Sequence, residues 1–309
     1  MGVLNTLSFI LNHPLNKCQK IKAINRYFSW QIGSRILPGS VVVPFIDSTR
    51  LLVSPGMTGA TGNIYCGLHE FEDMAFVLHT LRKGDLFLDI GANIGSYTIL
   101  ASGAVGCESM TFEPVPSTFV HLLDNIKLNS LESLVHALNL ALGSEEGQIS
   151  FTSNLDTVNH VLAPNEKNNS SITVKMNRLD DMVGEREPTL IKIDVEGFET
   201  EVLKGANKTL KKNSLLAVLM ELNGSGSRYG YDEEALHLFM INMGFELFSY
   251  WPFERKLSSA SQPASQPASQ PASQPDKNCS GNKLYVKSPD VLQKRLLSAR
   301  KYQVLGISL

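Results

Sequence analysis

The stretch FLDIGANIGSY, residues 87–97, decides the fold that this chain is expected to adopt. Three apolar residues around Asp89 are typical of a short buried strand, and Gly91 and Gly95 follow it four residues apart. Glycine lacks a Cβ atom and tolerates positive φ, so a loop with this spacing brings its backbone close to another group. The stretch therefore predicts a strand, a tight loop and a helix in direct succession.

The same strand-then-helix pattern recurs along most of the chain. Apolar runs predict strands at LFLDI (86–90), SMTFE (109–113), VHALNLAL (135–142), TLIKID (189–194), LLAVLME (215–221), FELFSY (245–250) and KLYVK (283–287). Helical patterns cover residues 69–82, 96–105, 117–129, 199–210 and 232–243. This alternation favours an α/β fold with a doubly wound, mainly parallel sheet covered on both faces. Residues 143–188 interrupt the alternation and predict an inserted hairpin.

The composition of the chain excludes several classes of protein. The 309 residues are 43% hydrophobic and 19% charged, with a net charge of −2, which is ordinary for a globular protein and gives no general attraction to nucleic acid. The four cysteines are scattered, so neither a disulfide framework nor a structural zinc site is expected. No apolar run is long enough to predict a membrane-spanning helix. A reducing cytoplasm is the simplest location.

Three ligands compete for the loop between Gly91 and Gly95. A phosphate-binding P-loop requires a lysine after its last glycine, and this loop continues with Ser96. A dinucleotide-binding loop prefers a middle glycine where Asn93 stands, and Asp89 would repel a pyrophosphate. S-adenosylmethionine carries no phosphate, and a carboxylate at Asp89 can hold its positive amino-acid end. S-adenosylmethionine is therefore the predicted cofactor.

A second acidic residue supports the choice of S-adenosylmethionine. Glu113 ends the next predicted strand, 24 residues after Asp89, where a carboxylate can accept both ribose hydroxyls. In an open parallel sheet, ligands bind outside the carboxyl ends of the strands, where both residues fall. The alternative interpretation is a tight turn with a glutamate on the surface.

Three further carboxylates follow the predicted fourth and fifth strands. Asp194 and Glu196 stand at the end of the fourth strand, and Glu221 ends the fifth. They are candidates for a general base that accepts the proton of a hydroxyl during methyl transfer, or for groups that bind substrate hydroxyls. Paired carboxylates can also hold a divalent cation or favour a helix N-terminus. No metal is predicted, and His160 is an alternative base.

Several ordered motifs resemble those of one known family. FLDIGANIGSYTILAS, TFEPVP, NLALG, RLDDMV and IKIDVEGFETEVLKGA together are similar to FkbM-type S-adenosylmethionine-dependent methyltransferases, over roughly residues 41–221. The resemblance implies a class I methyltransferase sheet of seven strands, mostly parallel, with an antiparallel last strand. It also implies O-methylation, with Asp89, Gly91, Ala92, Asn93, Gly95 and Glu113 contacting the cofactor.

The resemblance divides the chain into a methyltransferase domain and flanking segments. Residues 1–40 form a basic helical segment, 41–84 a hairpin and helix, 85–290 the methyltransferase domain, and 291–309 a helical tail. A helix over residues 13–36 carries an apolar stripe of Leu15, Cys18, Ile21, Ile24, Phe28 and Ile32. This stripe is expected to pack on the main domain, and contact with an anionic membrane surface is the alternative.

The tetrapeptide ASQP occurs four times in succession over residues 260–275, inside a linker predicted over residues 258–278. The codons GCC-AGC-CAG-CCA for this tetrapeptide also read as three GCCA units, so the 16 residues correspond to twelve such units. Gain or loss of one unit shifts the reading frame and replaces KLYVK and the tail. This arrangement indicates a phase-variable gene.

The leading functional hypothesis is an O-methyltransferase that acts on a bacterial surface glycan or glycolipid precursor, in the cytoplasm or at the inner face of the membrane. Methylation of a small secondary metabolite is the alternative within enzymes. A binding module that kept the fold without catalysis is the alternative in another class. A dehydrogenase would bind a nicotinamide cofactor instead. No nucleic-acid partner is expected, and the sequence does not indicate an oligomeric state.

Overall fold

A computed structural model of the chain describes residues 2–36, 39–152, 159–163, 166, 171–259 and 281–309. The strands are β1 (Val41–Pro44), β2 (Arg50–Val53), β3 (Leu86–Ile90), β4 (Glu108–Phe112), β5 (Val135–Leu138), β6 (Ala141–Leu142), β7 (Gly147–Thr152), β8 (Ser171–Asn177), β9 (Leu190–Ile193), β10 (Ala217–Glu221), β11 (Glu246–Trp251), β12 (Lys256–Ser259), β13 (Asn282–Val286), β14 (Gln303–Val304) and β15 (Ile307–Ser308). The ASQP repeat lies outside the described residues.

The helices lie before, between and after these strands. They are α1 (Val3–Asn12), α2 (Lys20–Ile36), α3 (Thr58–Cys66), α4 (Phe71–Thr80), α5 (Ser96–Thr98), α6 (Pro116–Leu128), α7 (Leu179–Val183), α8 (Glu199–Lys204), α9 (Asn207–Leu210), α10 (Glu233–Asn242) and α11 (Pro289–Leu297). Short 3-10 helices cover Pro14–Asn16 and Ser225–Tyr229, and α5 continues as a π-helix over Ile99–Val105. In the described ranges no helix has the length and apolar character needed to cross a membrane.

Eight strands form the central sheet, in the spatial order β12-β11-β13-β10-β9-β3-β4-β5. The strands from β5 to β10 in this order pair in parallel, and β13 runs antiparallel between β10 and β11. The predicted α/β fold with a mostly parallel sheet and an antiparallel last strand is thus confirmed. An eighth strand, β12, extends the predicted seven at the edge beyond β11.

Helices cover both faces of the central sheet. Because side chains on a strand alternate between its two faces, each strand contributes to two cores. On β3, Phe87 faces a core that contains residues of α4 and α11, such as Phe76 and Leu296. Its neighbour Leu88 faces a second core that contains residues of α8 and α10, including Val202. Every residue of β3 is consequently buried, as is typical of a central parallel strand.

The chain order creates a switch point between β3 and β9. From β3 the chain builds outward through β4 to β5, and it then returns to place β9 on the other side of β3. The helices that follow β3 and β9 therefore lead away from each other, which leaves a crevice at the carboxyl ends of the two strands. The predicted ligand residues lie at these ends.

Two predicted elements are interrupted in the structure. The predicted strand over residues 135–142 breaks at Asn139, whose Nδ2 donates hydrogen bonds to the carbonyl oxygens of Glu113 and Pro114. The chain then leaves the central sheet, and β6 joins a small sheet of order β6-β8-β7. The predicted helix over residues 199–210 divides into α8 and α9 near Gly205, where a Cβ atom would lie 2.0 Å from the carbonyl oxygen of Gly143.

The N-terminal helix buries a different side from the one predicted. The helix predicted over residues 13–36 is interrupted between the 3-10 helix Pro14–Asn16 and α2. Helix α2 packs through Ala23 and Tyr27 against residues of α3. The predicted buried stripe is wrong for four of its six members, since Cys18, Ile21, Phe28 and Ile32 are exposed. Apolar side chains occur on both sides of α2, so periodicity alone could not identify the side that faces the domain.

Candidate functional site

The glycine loop, residues 91–95, is held against the end of β4 by backbone hydrogen bonds. The amides of Gly91 and Ala92 donate to the carbonyl oxygen of Phe112 at 3.0 and 2.9 Å. Gly91, Asn93 and Gly95 have φ of 77°, 51° and 91°, and such positive values favour glycine and asparagine. The loop is therefore a fixed turn that joins the first two strands of the site.

The two glycines are required by neighbouring protein atoms. A Cβ atom on Gly91 would lie 1.7 Å from the carbonyl oxygen of Asp194, and one on Gly95 would lie 2.5 Å from Cδ1 of Leu122. Both glycines were predicted to allow the approach of a ligand, and close packing inside the protein is a further and sufficient reason for them. Contact between these residues and the cofactor stays a prediction.

Asp89 is a fully buried carboxylate with one unsatisfied oxygen. Its Oδ2 accepts a hydrogen bond from the Thr98 hydroxyl at 2.6 Å, and its Oδ1 has no hydrogen-bond partner within the described ranges. Burial raises the pKa of Asp89, although the nearby Lys192 ammonium opposes this. A buried, unpartnered acceptor is costly unless a donor reaches it, so Oδ1 fits the positively charged end of a ligand.

Glu113 follows β4 and organises the glycine loop. Its Oε2 accepts a hydrogen bond from the Asn93 amide at 3.0 Å, and its Oε1 accepts one from the Val115 amide at 2.9 Å. Burial raises the pKa of Glu113 to about 7, although these hydrogen bonds favour its charged form. Each carboxylate oxygen has a second lone pair, which leaves Glu113 able to accept the predicted ribose hydroxyls.

A narrow apolar pocket borders Gly91, between the central sheet and the small sheet. This pocket was not predicted from the sequence, because the walls of the pocket come from separate segments. Its lining includes Gly91, Phe112, Pro114, Ala141, Phe151 and Val195. Its volume is about 20 Å³, far below the roughly 300–1,000 Å³ of typical ligand pockets, so it would have to widen to admit the adenine of the predicted cofactor.

A larger cavity of about 300 Å³ lies between α2 and α3. Trp30, Arg35 and Tyr65 are among its lining residues, and none of the predicted site residues lines it. We therefore place the candidate site at the carboxyl ends of the central strands, where the predicted residues converge, rather than in this cavity.

The structure brings together the three predicted catalytic residues. Asp194, Glu196 and Glu221, here called the carboxylate cluster, each offer one oxygen within 4.8 Å of the others. All three side chains are half-buried, so a substrate can reach them. Glu196 has a φ of 53°, an uncommon conformation for a non-glycine residue, and its loop packs closely against residues 225–226. This packing holds the loop that carries Glu196 in a fixed position.

Lys192 contributes a buried positive charge that the sequence argument missed. Its Nζ lies 2.8 Å from Oδ2 of Asp194 and 4.8 Å from the centre of the Tyr97 ring, and only 6% of the residue is exposed. Burial lowers the pKa of this amine, but the surrounding carboxylates, with Asp194 first, raise it overall. A lysine inside a buried strand requires a negative partner, and this signal was present in LIKID.

The carboxylate cluster is divided into groups with different protonation. Burial opposes ionisation of Asp194, but Lys192 and a hydrogen bond from Glu221 together lower its pKa. Burial, followed by the charge of Asp194, raises the pKa of Glu221 to about 9, so Glu221 is protonated at neutral pH. Burial and the charges of Asp194 and Glu199 raise the pKa of Glu196 to about 7. Glu196 can therefore both accept and release a proton near neutral pH.

A second polar group is connected to Lys192 through Tyr97, whose ring lies 4.8 Å from the Lys192 ammonium. The Tyr97 hydroxyl donates to Oε2 of Glu70 at 2.8 Å, and Nδ2 of Asn282 lies 3.2 Å from Oε1 of Glu70 and 2.7 Å from Oδ2 of Asp73. Asn282 also pairs with Glu221 across the sheet. Four segments far apart in the sequence supply these residues, so no local motif could have revealed them.

The alternative base lies in another environment. His160 is 7% exposed, and its Nε2 lies 2.9 Å from Oε1 of Glu166. The structure thus places the buried ring of His160 in a hydrogen-bonded pair within the insertion. His160 is not among the residues that form the carboxylate cluster.

Comparison with known proteins identifies the family. A model of the methyltransferase FkbM domain matches residues 89–247, which include the glycine loop and the carboxylate cluster. This match covers just over half of the chain and confirms the resemblance found in the motifs.

Curated relatives agree with this match. Hexuronic acid methyltransferase AglP of Haloferax volcanii is 30% identical over 152 residues, which cover 48% of this chain and 61% of AglP. Methyltransferase sdnD of Sordaria araneosa is 30% identical, covering 45% of this chain and 66% of sdnD. The chain thus spans less than two thirds of each relative.

A solved structure of methyltransferase FkbM from Methylobacillus flagellatus KT is 14% identical, with a TM-score of 0.44, covering 86% of this chain and 60% of that one. The family match over residues 89–247 shows that the chain belongs to the FkbM family of methyltransferases.

Proposed function

We propose that the protein is an S-adenosylmethionine-dependent O-methyltransferase that methylates a sugar hydroxyl of a bacterial surface glycan or glycolipid precursor. One observation carries the proposal. The carbonyl oxygen of Asp194 occupies the space that a Cβ atom on Gly91 would need, so the glycine loop and the carboxylate cluster share one crevice. A cofactor on the loop would therefore lie beside carboxylates suited to a hydroxyl acceptor. The relative named a hexuronic acid methyltransferase supports a sugar as that acceptor.

The residues around the glycine loop fit the predicted cofactor. Asp89 would hold the ammonium group through its unpartnered Oδ1, and Glu113 would accept the ribose hydroxyls. The apolar pocket beside Gly91 would border the adenine ring and, at about 20 Å³, would have to widen to enclose it. Bound in this way, S-adenosylmethionine supplies a methyl group on a positively charged sulfur.

Glu196 is the proposed base. A bond forms between the acceptor oxygen and the methyl carbon while the bond from that carbon to sulfur breaks, and the hydroxyl proton passes to Glu196. A base with a pKa of about 7 suits this role, because it is largely ionised at neutral pH and still holds the proton that it receives. Asp194, ionised beside Lys192, orients the acceptor hydroxyl, and protonated Glu221 holds Asp194 in place.

The carboxylate cluster also has a spacing that a divalent cation could use, but we propose that no metal takes part. Lys192 already supplies a positive charge at 2.8 Å from Asp194. Protonated Glu221 offers the cluster a donor, which a cation would have to displace. We therefore expect that methylation persists in the presence of EDTA.

The pH dependence of methylation tests the role of Glu196. The base is active only when ionised, and its pKa is about 7. The rate should therefore rise about tenfold per pH unit below pH 7 and level off above it. The measurement uses labelled S-adenosylmethionine and glycan extracted from a strain that lacks the gene, because that glycan should carry unmethylated acceptor.

Two variants separate the carboxylates in this experiment. At saturating S-adenosylmethionine, where ionisation of Glu113 no longer limits cofactor binding, Glu196→Gln should lower the plateau rate about 100-fold and remove the limb of falling rate below pH 7. Glu234→Gln, an exposed glutamate in the first turn of α10, is the matched control and should leave the profile unchanged. A limb near pH 7 that survives in Glu196→Gln would contradict the assignment, as would an extract that accepts no label from the folded wild-type protein.

The proposal includes a location and a genetic switch. We place the reaction in the cytoplasm at the inner face of the membrane, where glycolipid precursors are assembled. We also propose that the ASQP repeat makes expression phase-variable, because twelve GCCA units would encode it. A tract encoded by mixed synonymous codons would contradict the switch without affecting the proposed chemistry.

A further inference from the structure

Helix α2 exposes a row of large apolar side chains. Ile21, Phe28, Ile32 and Ile36 are 77%, 49%, 57% and 70% exposed, and at 100° per residue they fall within one 80° sector of the helix. Ala23, on the other side, packs against α3. The row, here called the apolar face of α2, is thus largely exposed, although the ring of Phe28 packs edge-on against that of Tyr27. Exposed Asn25 falls within the same sector, and the large apolar side chains around it mark an interaction surface.

The exposed charges on α2 and on the segment just before it have one sign. Lys17, Lys20, Lys22 and Arg35 are exposed, and residues 1–46 contain no Asp or Glu. On the same helical projection, Arg35 and Lys22 lie on opposite flanks of the apolar face. Arg26 differs from these four because it donates to the Tyr65 carbonyl and to Asn16 inside the protein. The exposed cations therefore border the apolar face on both sides.

We propose that the apolar face of α2 docks the protein onto an anionic lipid bilayer. Apolar side chains flanked by lysine and arginine fit the boundary between acyl chains and negatively charged headgroups, because each kind of side chain then meets its preferred environment. A second copy of the chain fits this surface poorly. A symmetric pair through α2 would bring the two sets of cations together and would leave them without negative partners.

Docking through α2 goes beyond the proposed chemistry and does not depend on it. The alternative that the sequence left open, contact with an anionic membrane surface, now has a structural basis, since the predicted stripe proved exposed. The location fits an acceptor that is itself carried by lipid.

Vesicle co-sedimentation of the full-length purified protein tests this inference. The probes are vesicles of phosphatidylcholine alone and vesicles of phosphatidylcholine mixed with phosphatidylglycerol. The protein should bind the mixed vesicles at least tenfold more tightly than the neutral ones, and raising the salt concentration should weaken that binding. Ile32→Asp should reduce binding at least tenfold, because it places a charge in the centre of the apolar face.

A matched variant controls for a general effect of added charge. Leu238 on α10 is 56% exposed, nearly the same as Ile32, so Leu238→Asp introduces the same charge on another surface. It should bind vesicles like the wild type. Because both positions are exposed, both variants should keep the wild-type circular dichroism and melting temperature.

Three results would overturn the inference. The first is wild-type protein that does not bind phosphatidylglycerol vesicles, and the second is Ile32→Asp that binds as tightly as Leu238→Asp. The third is a lipid-free dimer in sedimentation velocity that Ile32→Asp dissociates, which would assign the apolar face to a second copy. Methylation measured in parallel with extracted glycan shows whether the catalytic site is intact, so failure of docking and failure of the proposed function are distinguishable.

Discussion

A chain that ends at Pro275 is expected not to fold. Its missing part contains β13, which lies between β10 and β11 inside the central sheet and pairs with both. Loss of this strand leaves the hydrogen-bonding groups of two neighbours unpaired and opens both cores. Such a chain lacks the segment that the proposed frame shift in the repeat would replace.

The buried side chains lost with this segment are enough to unfold the protein. Leu284, Tyr285, Val286, Leu292 and Leu296 are between 0% and 6% exposed. Burial of one large apolar side chain stabilises a protein by about 1.5–3 kcal/mol. Five such side chains together approach the whole free energy of unfolding of a typical domain, about 5–15 kcal/mol.

Thermal unfolding followed by circular dichroism measures this effect. The truncated chain should be insoluble or show no cooperative transition. An in-frame deletion of residues 260–267, two of the four repeat units, is the control. It should fold and melt like the wild type, because the 13 remaining residues between Ser259 and Gly281 can span the distance of about 10 Å between strands two apart in a sheet. A cooperative transition in the truncated chain would contradict the account.

Gly91→Ala is expected to lower the free energy of unfolding by about 3–5 kcal/mol. The new Cβ atom would lie 1.7 Å from the carbonyl oxygen of Asp194, so the loop or the end of β9 must move. The φ of 77° at Gly91 adds a conformational penalty for any residue with a Cβ atom. The substitution therefore disturbs the glycine loop and the carboxylate cluster together.

Gly84→Ala separates these two contributions. Gly84 has a φ of 89°, but a Cβ atom there would meet no atom within 4 Å. Its substitution should cost only the conformational penalty, about 1–2 kcal/mol. Urea-induced unfolding of both variants gives the comparison. Equal losses of stability would contradict the close approach of Gly91 to Asp194.

The sequence predicted the strands of the parallel sheet closely. The predicted strand over residues 86–90 has the same bounds as β3, and the predicted strand over residues 189–194 contains β9. Both are short apolar runs bounded by residues that end strands, so their local pattern suffices. Asn139 shows the limit of such patterns, because its hydrogen bonds to a distant loop divide an apolar run into two strands of different sheets.

The sequence placed the candidate site at the correct edge but identified only part of it. Asp89, Glu113 and Asp194 each follow a strand, and parallel strands bring such positions together. Glu70 directly precedes α4, and Asn282 begins β13. Only the packing of α4 against the sheet brings these two residues near Lys192. Contacts of this kind depend on tertiary structure, which no local pattern contains.

Titration calorimetry of the purified protein with S-adenosylmethionine tests the central claim most directly. The account predicts that one cofactor binds with measurable heat. Asp89→Asn should weaken this binding about 10- to 100-fold, because the amide can still accept from Thr98 but offers no charge to the ammonium group. Absence of any heat of binding to the folded wild type, or unchanged affinity in Asp89→Asn, would contradict the account.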